Sequence, residues 1–209
     1  VGPVLALSPW NWPLVTASKK VAAALAAGCT VVLKPAEETP SALVALARAL
    51  ADAGLPPGVF NLVSGDAAHI SSTLIDAPEI RKVSFTGSVP VGRLLAEQAG
   101  RRLKPISLEL GGHAPVIVFE DADIDAAIRK LVPIKFRTCG QVCSSPTRFF
   151  VQQSIAKRFT EKLAEAASRI YRELIATVRE IYGADDDCHP VWPPNLAFSL
   201  SSRQLASEV

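Results

Sequence analysis

The chain contains no methionine among its 209 residues, not even at the first position. It therefore reads as an internal piece of a longer product, or as one whose start was lost. No uncharged apolar run reaches the roughly eighteen residues that a membrane span requires. The N-terminus also lacks a charged segment followed by an apolar stretch and a cleavage site, so a soluble, cytoplasmic protein is expected. Four cysteines (Cys29, Cys139, Cys143 and Cys188) supply no disulfide framework in a chain of this length. The Cys139 and Cys143 pair has no second pair to complete a tetrahedral zinc site, and Cys188-His189 adds only two further ligands, so no metal is expected. Like charges form no long block: 22 Lys and Arg face 20 Asp and Glu, and a pI near 8.4 on that pattern implies neither a nucleic-acid nor a membrane partner. There is no internal repeat and no GxGxxG. Gly87 to Gly92 has the glycine spacing of a phosphate loop, but Arg93-Leu94 stand where Lys and Ser/Thr would bind phosphate and Mg²⁺.

What is present is a globular composition, 49% hydrophobic and 20% charged, arranged in a regular alternation. Pro3 to Leu7 reads as a short buried strand that exits into the stiff segment Ser8-Pro9-Trp10-Asn11-Trp12-Pro13. Leu14 to Ala27 reads as a helix stopped by Gly28, and Thr30 to Leu33 as a β-branched strand followed by the loop Lys34 to Pro40. Ser41 to Ala53 repeats the helix, with Ser41 as its cap and Gly54 as its stop. Gly58 to Gly65 supplies a strand, Ala67 to Ile75 a helix, Lys82 to Phe85 a strand and Val91 to Ala99 a helix ending at Gly100. Such alternation predicts an α/β fold with a parallel sheet and helices on both faces, in which ligands bind beyond the carboxyl ends of the strands.

Beyond Lys104 a second α/β unit is expected. Ile106 to Gly112 carries one charged residue, Glu109, into a glycine pair, and Ala114 to Phe119 is an apolar strand. Asp121, Asp123 and Asp125 gather at the start of a helix from Ile124 to about Leu131, where carboxylates suit the free amides and the dipole. Lys135 to Ser145 is a loop holding Cys139, Gly140 and Cys143. Arg148 to Val151 reads as a strand and Ser154 to Arg169 as an amphipathic helix, which Tyr171 to Ile181 extends or follows. Gly183 to Val209 shows acidic, proline and serine clusters without a sustained period, which predicts a poorly packed tail.

Four strand-end or loop positions offer distinct chemistry: the amide of Asn11, the ammonium of Lys34, the carboxylate of Glu109 and the thiol of Cys143. Each has a plainer reading, as a turn residue, a solvated charge, a surface strand residue and a packed thiol. Together they match what aldehyde oxidation needs, a nucleophile, an oxyanion donor, a base and a cofactor anchor. The runs Pro9-Trp10-Asn11-Trp12-Pro13, Lys34-Pro35-Ala36-Glu37, Phe85-Thr86-Gly87-Ser88, Leu108-Glu109-Leu110-Gly111-Gly112 and Gly140-Gln141-Val142-Cys143 occur in this order. On these five motifs the chain resembles the aldehyde dehydrogenase superfamily over residues 1 to about 168.

The resemblance implies a Rossmann-like NAD-binding domain at 1–109, the start of a catalytic domain at 110–168, and an unmatched tail at 169–209. It implies that Cys143 attacks the aldehyde to give a thiohemiacetal, whose oxyanion is held by the Asn11 amide and the Cys143 backbone N–H. Loss of hydride leaves a thioester, which water activated by Glu109 hydrolyses. Lys34 and Glu37 would meet the adenosine ribose, Gly87 and Ser88 the pyrophosphate, and Trp10 a wall of the cofactor cleft. A carboxylate at Glu37 would repel a 2′-phosphate, which favours NAD over NADP. Val142 and Ser144 would line the aldehyde pocket, while Cys139 would be a bystander able to form a disulfide under oxidation. The partners implied are a small aldehyde and, for the longer parent, further copies of itself in a homo-oligomer. Segments that family members carry before Pro3 and after the last helix find no match here. The other expectation is thus a non-catalytic remnant that binds cofactor or a partner.

Overall fold

The computed structural model describes residues 1–182, and the tail expected from Gly183 onward lies outside the described residues. The chain divides into two compact units, the first ending at Gly111 and the second beginning at Gly112.

In the first unit five parallel strands alternate with four helices. In chain order these are β1 (Val4–Leu7), α1 (Pro13–Ala26), β2 (Val31–Lys34), α2 (Pro40–Asp52), β3 (Phe60–Leu62), α3 (Ala67–Asp76), β4 (Lys82–Gly87), α4 (Val89–Arg101) and β5 (Ile106–Leu110). The sheet order is β3-β2-β1-β4-β5, with Val4 aligned on both Val31 and Lys82. Side chains alternate across the central strand. Val4 and Ala6 join Val31, Leu33 and the α1 and α2 residues Ala17, Val21, Ala24 and Leu43. Leu5 and Leu7 join Val83 and Phe85 with Ile75 of α3 and Leu95 and Ala99 of α4. The sheet is thus helix-covered on both faces. Leu5, Val31, Leu33 and Val83 are completely buried, each contributing about 1.5–3 kcal/mol, more than the ~1 kcal/mol of a typical helix cap.

Several local expectations shift. Lys34 is the last residue of β2 and not the first of the loop. Helix α2 starts at Pro40 behind Thr39, so Ser41 lies inside the first turn and is not the cap. Strand β5 belongs to the first sheet, with Thr86 aligned on Glu109.

Helix α4 continues through Gly100 to Arg101. Its end shares one geometry with α1 and α2. Cys29 and Leu55 donate N–H bonds to Ala24 and Leu50 across left-handed Gly28 (φ 69°) and Gly54 (φ 84°). Lys104 donates to Ala99 at 2.9 Å in the same way, but across left-handed Leu103 (φ 52°). This double-bonded helix stop prefers glycine because a Cβ crowds the following carbonyl.

The second unit holds β6 (Val116–Val118), α5 (Ile124–Phe136), β7 (Phe149–Val151) and α6 (Ala156–Tyr182), with β6 and β7 paired in parallel. Helix α5 is capped by Asp123, whose carboxylate accepts the Ala126 N–H at 3.0 Å, and it runs past Leu131 through Pro133. Val118, Ile124, Ile128, Val132 and Phe159 form its core. Phe149 and Phe159 meet with ring centroids 6.1 Å apart, and Lys162 of α6 pairs with Asp125. Helix α6 continues well beyond Arg169.

Leu103 is 92% exposed, so replacing it forfeits no packing. Leu103→Gly should raise stability to urea by about 1 kcal/mol. A loss of stability would show that Leu103 is not strained.

Candidate functional site

The strand order places a topological switch between β1 and β4, because the chain leaves β1 toward β2 and returns from β3 to β4 on the far side. Such a crevice, at the carboxyl ends of the strands, is where an open α/β sheet takes its ligand. Six of the residues singled out in the sequence stand around these ends. Trp10 and Asn11 lie on the exit of β1, Trp10 being 43% exposed and Asn11 half-buried just before α1. The Ser8 N–H donates to the Lys34 carbonyl at 3.2 Å, which ties the exits of β1 and β2 together.

Lys34 is 6% exposed. A buried ammonium requires a partner, and Lys34 Nζ donates to Glu37 Oε1 at 2.7 Å. That hydrogen bond is the largest cause holding the Glu37 carboxyl below the usual glutamate range. The stability it adds is present above the ordinary glutamate pKa and lost as pH falls through the lowered one. Glu37 is 54% exposed, so solvent screening keeps that contribution small. The pair leaves an exposed carboxylate in the loop that follows β2.

Gly87 ends β4, and a Cβ built there would lie 2.3 Å from Cζ of the core residue Phe85. Glycine is therefore required, and it leaves bare backbone at the crevice. Ser88 is the N-cap of α4 in extended conformation (φ −73°, ψ 152°), and its hydroxyl makes no capping bond. The first-turn N–H groups of α4 remain oriented for an anion. Bare backbone at Gly87, the start of α4 and the Lys34–Glu37 pair are the groups here that could hold a nucleotide cofactor.

Glu109 is exposed on β5, on the sheet face opposite Leu108 and Leu110. Sequence reasoning left Lys20 as an ordinary helix residue, yet its ammonium donates to Thr86 Oγ1 at 2.7 Å and Ser84 Oγ at 3.2 Å on that same face. Burial pushes the Lys20 pKa down, and the nearby Glu109 carboxylate partly offsets this. The sequence signal was faint: a lysine about two helical turns past the helix start at Pro13, facing β4 residues that carry hydroxyls instead of aliphatic side chains.

Cys143 belongs to the second unit. It is an exposed free thiol, as is Cys139. Its loop opens on a short 3-10 turn in which Thr138 (φ 53°), Cys139 (φ 55°) and Gly140 (φ 77°) are all left-handed. Only Gly140 was legible as a turn residue. Ser145, 2% exposed, anchors the loop: its hydroxyl donates to the Lys135 carbonyl at 3.0 Å and its N–H to the Val142 carbonyl at 2.9 Å. Burial lowers the pKa of Lys135 at the end of α5. Val142 is half-buried and Ser144 exposed beside the thiol. Among the described residues no group of three or more His, Cys, Asp and Glu could hold a metal ion, and no helix is long and apolar enough to cross a membrane.

The aldehyde dehydrogenase family model matches residues 1–173, slightly beyond the stretch over which the resemblance was expected. A putative 4-(hydroxymethyl)benzenesulfonate dehydrogenase of Comamonas testosteroni, TsaD2, is 53% identical over 170 residues, which are 81% of this chain and 35% of that protein. The NADP(+) succinate-semialdehyde dehydrogenase GabD of Escherichia coli is 47% identical over 82% of this chain and 36% of its own length. Among solved structures, aldehyde dehydrogenase C of Pseudomonas syringae, in complex with NAD+ and octanal, superposes with a TM-score of 0.78 at 42% identity, over 80% of this chain and 35% of that one. The chain thus spans about 35% of the length of the relatives it matches. It belongs to the aldehyde dehydrogenase family.

Proposed function

We propose that the protein oxidises an aldehyde to a carboxylate through Cys143, with NAD as the favoured acceptor. The observation that carries this reading is the exposed Cys143 thiol on a loop pinned by buried Ser145, within a Gly140-Gln141-Val142-Cys143 run in a chain of this family. The Cys143 thiolate attacks the carbonyl carbon; a C–S bond forms and the carbonyl π electrons move to oxygen. The Asn11 side-chain amide and the Cys143 N–H donate to that oxyanion, which stabilises charge present only after attack. A bound nicotinamide cofactor supplies the hydride acceptor. Once the acyl group is a thioester on Cys143, Glu109 takes a proton from water, the C–O bond forms, and the C–S bond breaks to return the thiolate. Glu109 thereby directs the acyl group to hydrolysis over transfer to coenzyme A.

Lys34 and Glu37 would hold the adenosine ribose, Gly87 and Ser88 the pyrophosphate, and Trp10 would wall the cleft. The Glu37 carboxylate, held ionised by Lys34, disfavours a 2′-phosphate. The names of relatives include both NADP(+) and NAD-dependent enzymes, so this carboxylate is the feature that decides the preference here. The aldehyde is a small one, and succinate semialdehyde, for which several relatives are named, is the first to test. One observation favours a second reading, a non-catalytic cofactor-binding remnant: the chain covers only about 35% of those relatives.

The test is reduction of NAD in the presence of succinate semialdehyde and a panel of other aldehydes. Wild-type activity should fall by about three orders of magnitude or more in Cys143→Ser, and Glu109→Gln should slow turnover about 10²-fold or more. Equal activity in wild type and Cys143→Ser overturns the assignment of the nucleophile, and no activity in either, with NAD still bound, supports the remnant. Glu37→Gln should narrow the preference for NAD over NADP by about tenfold, the effect of removing one partly screened charge. An unchanged ratio of the two dissociation constants would remove Glu37 from that role.

A further inference from the structure

We propose that His113 is the positioning residue of the cysteine loop. Nothing in the proposed chemistry uses it, yet it makes three contacts to one loop residue. The His113 carbonyl accepts the Thr147 N–H at 2.9 Å and the Thr147 hydroxyl at 3.1 Å, while His113 Nδ1 lies 2.8 Å from the same hydroxyl oxygen. A hydroxyl has one proton. With that proton on the His113 carbonyl, Nδ1 is the protonated ring nitrogen and donates back to Thr147 Oγ1. Both partners of each bond are then satisfied, and Thr147 is held from its backbone and its side chain together.

The same short segment reaches the loop at a second point. A Cβ built on Gly112 would lie 3.9 Å from the Cys143 carbonyl, an ordinary contact distance. Gly112 thus passes beside Cys143, while His113 binds Thr147 four residues on. The next residue, Ala114, is left-handed (φ 40°) although Pro115 follows it, a conformation disfavoured on both counts. That strain is tolerated where His113 faces Thr147, and strand pairing resumes at once with the Val116 N–H on the Arg148 carbonyl at 2.9 Å. In chain order the clamp spans the whole cysteine loop, closing it ahead of β7 while Ser145 closes it on α5.

The functional consequence rests on the reading of Cys143 as the nucleophile; the clamp itself does not. Asn carries its amide nitrogen on the same Cγ that carries Nδ1 in His, so His113→Asn retains a donor at that bonded position and His113→Leu does not. Backbone amide exchange by NMR and alkylation of Cys143 by iodoacetamide, followed by peptide mass, are measured on the intact chain. His113→Leu and Thr147→Val should each speed exchange of the Ser145 and Thr147 amides about fivefold, the scale of one exposed hydrogen bond. The double variant should go no further. His113→Asn and Thr147→Ser should stay within about twofold of wild type, and the Cys143 alkylation rate should shift in the same two disruptive variants and return in the conservative ones. Additive effects in the double variant, or His113→Asn behaving as His113→Leu, overturn the proposal. If Cys143→Ser leaves aldehyde oxidation intact while exchange follows the expected pattern, the nucleophile assignment falls and the clamp stands.

Discussion

A central parallel strand has neither a free edge nor a free face, and β1 is such a strand, paired with β2 on one side and β4 on the other. Val4 and Ala6 must meet one helix layer and Leu5 and Leu7 the other. That requirement divides the helices into α1 with α2 and α3 with α4. The division in turn reverses the direction of the chain across β1 and opens the crevice at its carboxyl end. Trp10, Asn11, Lys34, Gly87 and Ser88 stand around this crevice because they are the residues that follow or end the three middle strands. The placement of these residues is thus a consequence of how an apolar strand is covered.

Polar residues on the sheet obey the same logic. At β4 and β5 the face toward α1 carries Ser84, Thr86, Ser107 and Glu109 in place of aliphatic side chains. Lys20 reaches across from α1 to two of these hydroxyls, and Lys82 Nζ reaches Ser107 Oγ at 2.8 Å. A half-buried ammonium satisfied by neutral hydroxyls keeps part of its desolvation cost, which is why the Lys20 pKa falls even with the Glu109 carboxylate near. The sheet is thus apolar where helices cover both faces and hydrophilic on one face at its β5 edge, and Glu109 sits on the hydrophilic part.

Most of the first unit was legible in the sequence because its signals are local. Apolar runs of four or five residues, helices stopped by Gly28 and Gly54, and the exits at Asn11 and Gly87 require only neighbours to interpret. The signal failed where a distant partner decides the outcome. Gly100 looked like a stop, but α4 needs one more residue to place Lys104 on Ala99, and Leu103 takes the left-handed position instead. Glu109 seemed to open a new unit until its strand paired with β4. Lys20 contacts residues 64 and 66 positions away, and His113 holds one 34 positions away; no periodicity announces either. Thr138 and Cys139 carry no propensity for the left-handed region, so nothing local points to it.

That left-handed turn shows how differently the two units hold their chemistry. Thr138 and Cys139 together cost about 2–4 kcal/mol as left-handed residues with a Cβ, and neither cysteine offsets this by its own burial, since both Cys139 and Cys143 are exposed. Polar contacts oppose that cost, among them two bonds from Ser145 and three between Thr147 and His113. At about 0.5–1.5 kcal/mol each these five total about 2.5–7.5 kcal/mol, of the same order as the strain. Around the crevice the positions are set by completely buried side chains such as Leu5 and Leu33, so removing one polar contact there leaves the backbone in place. In the cysteine loop polar contacts such as those of Ser145 carry more of the support. The thiol's placement therefore depends on a few hydrogen bonds whose loss the strained turn would immediately exploit.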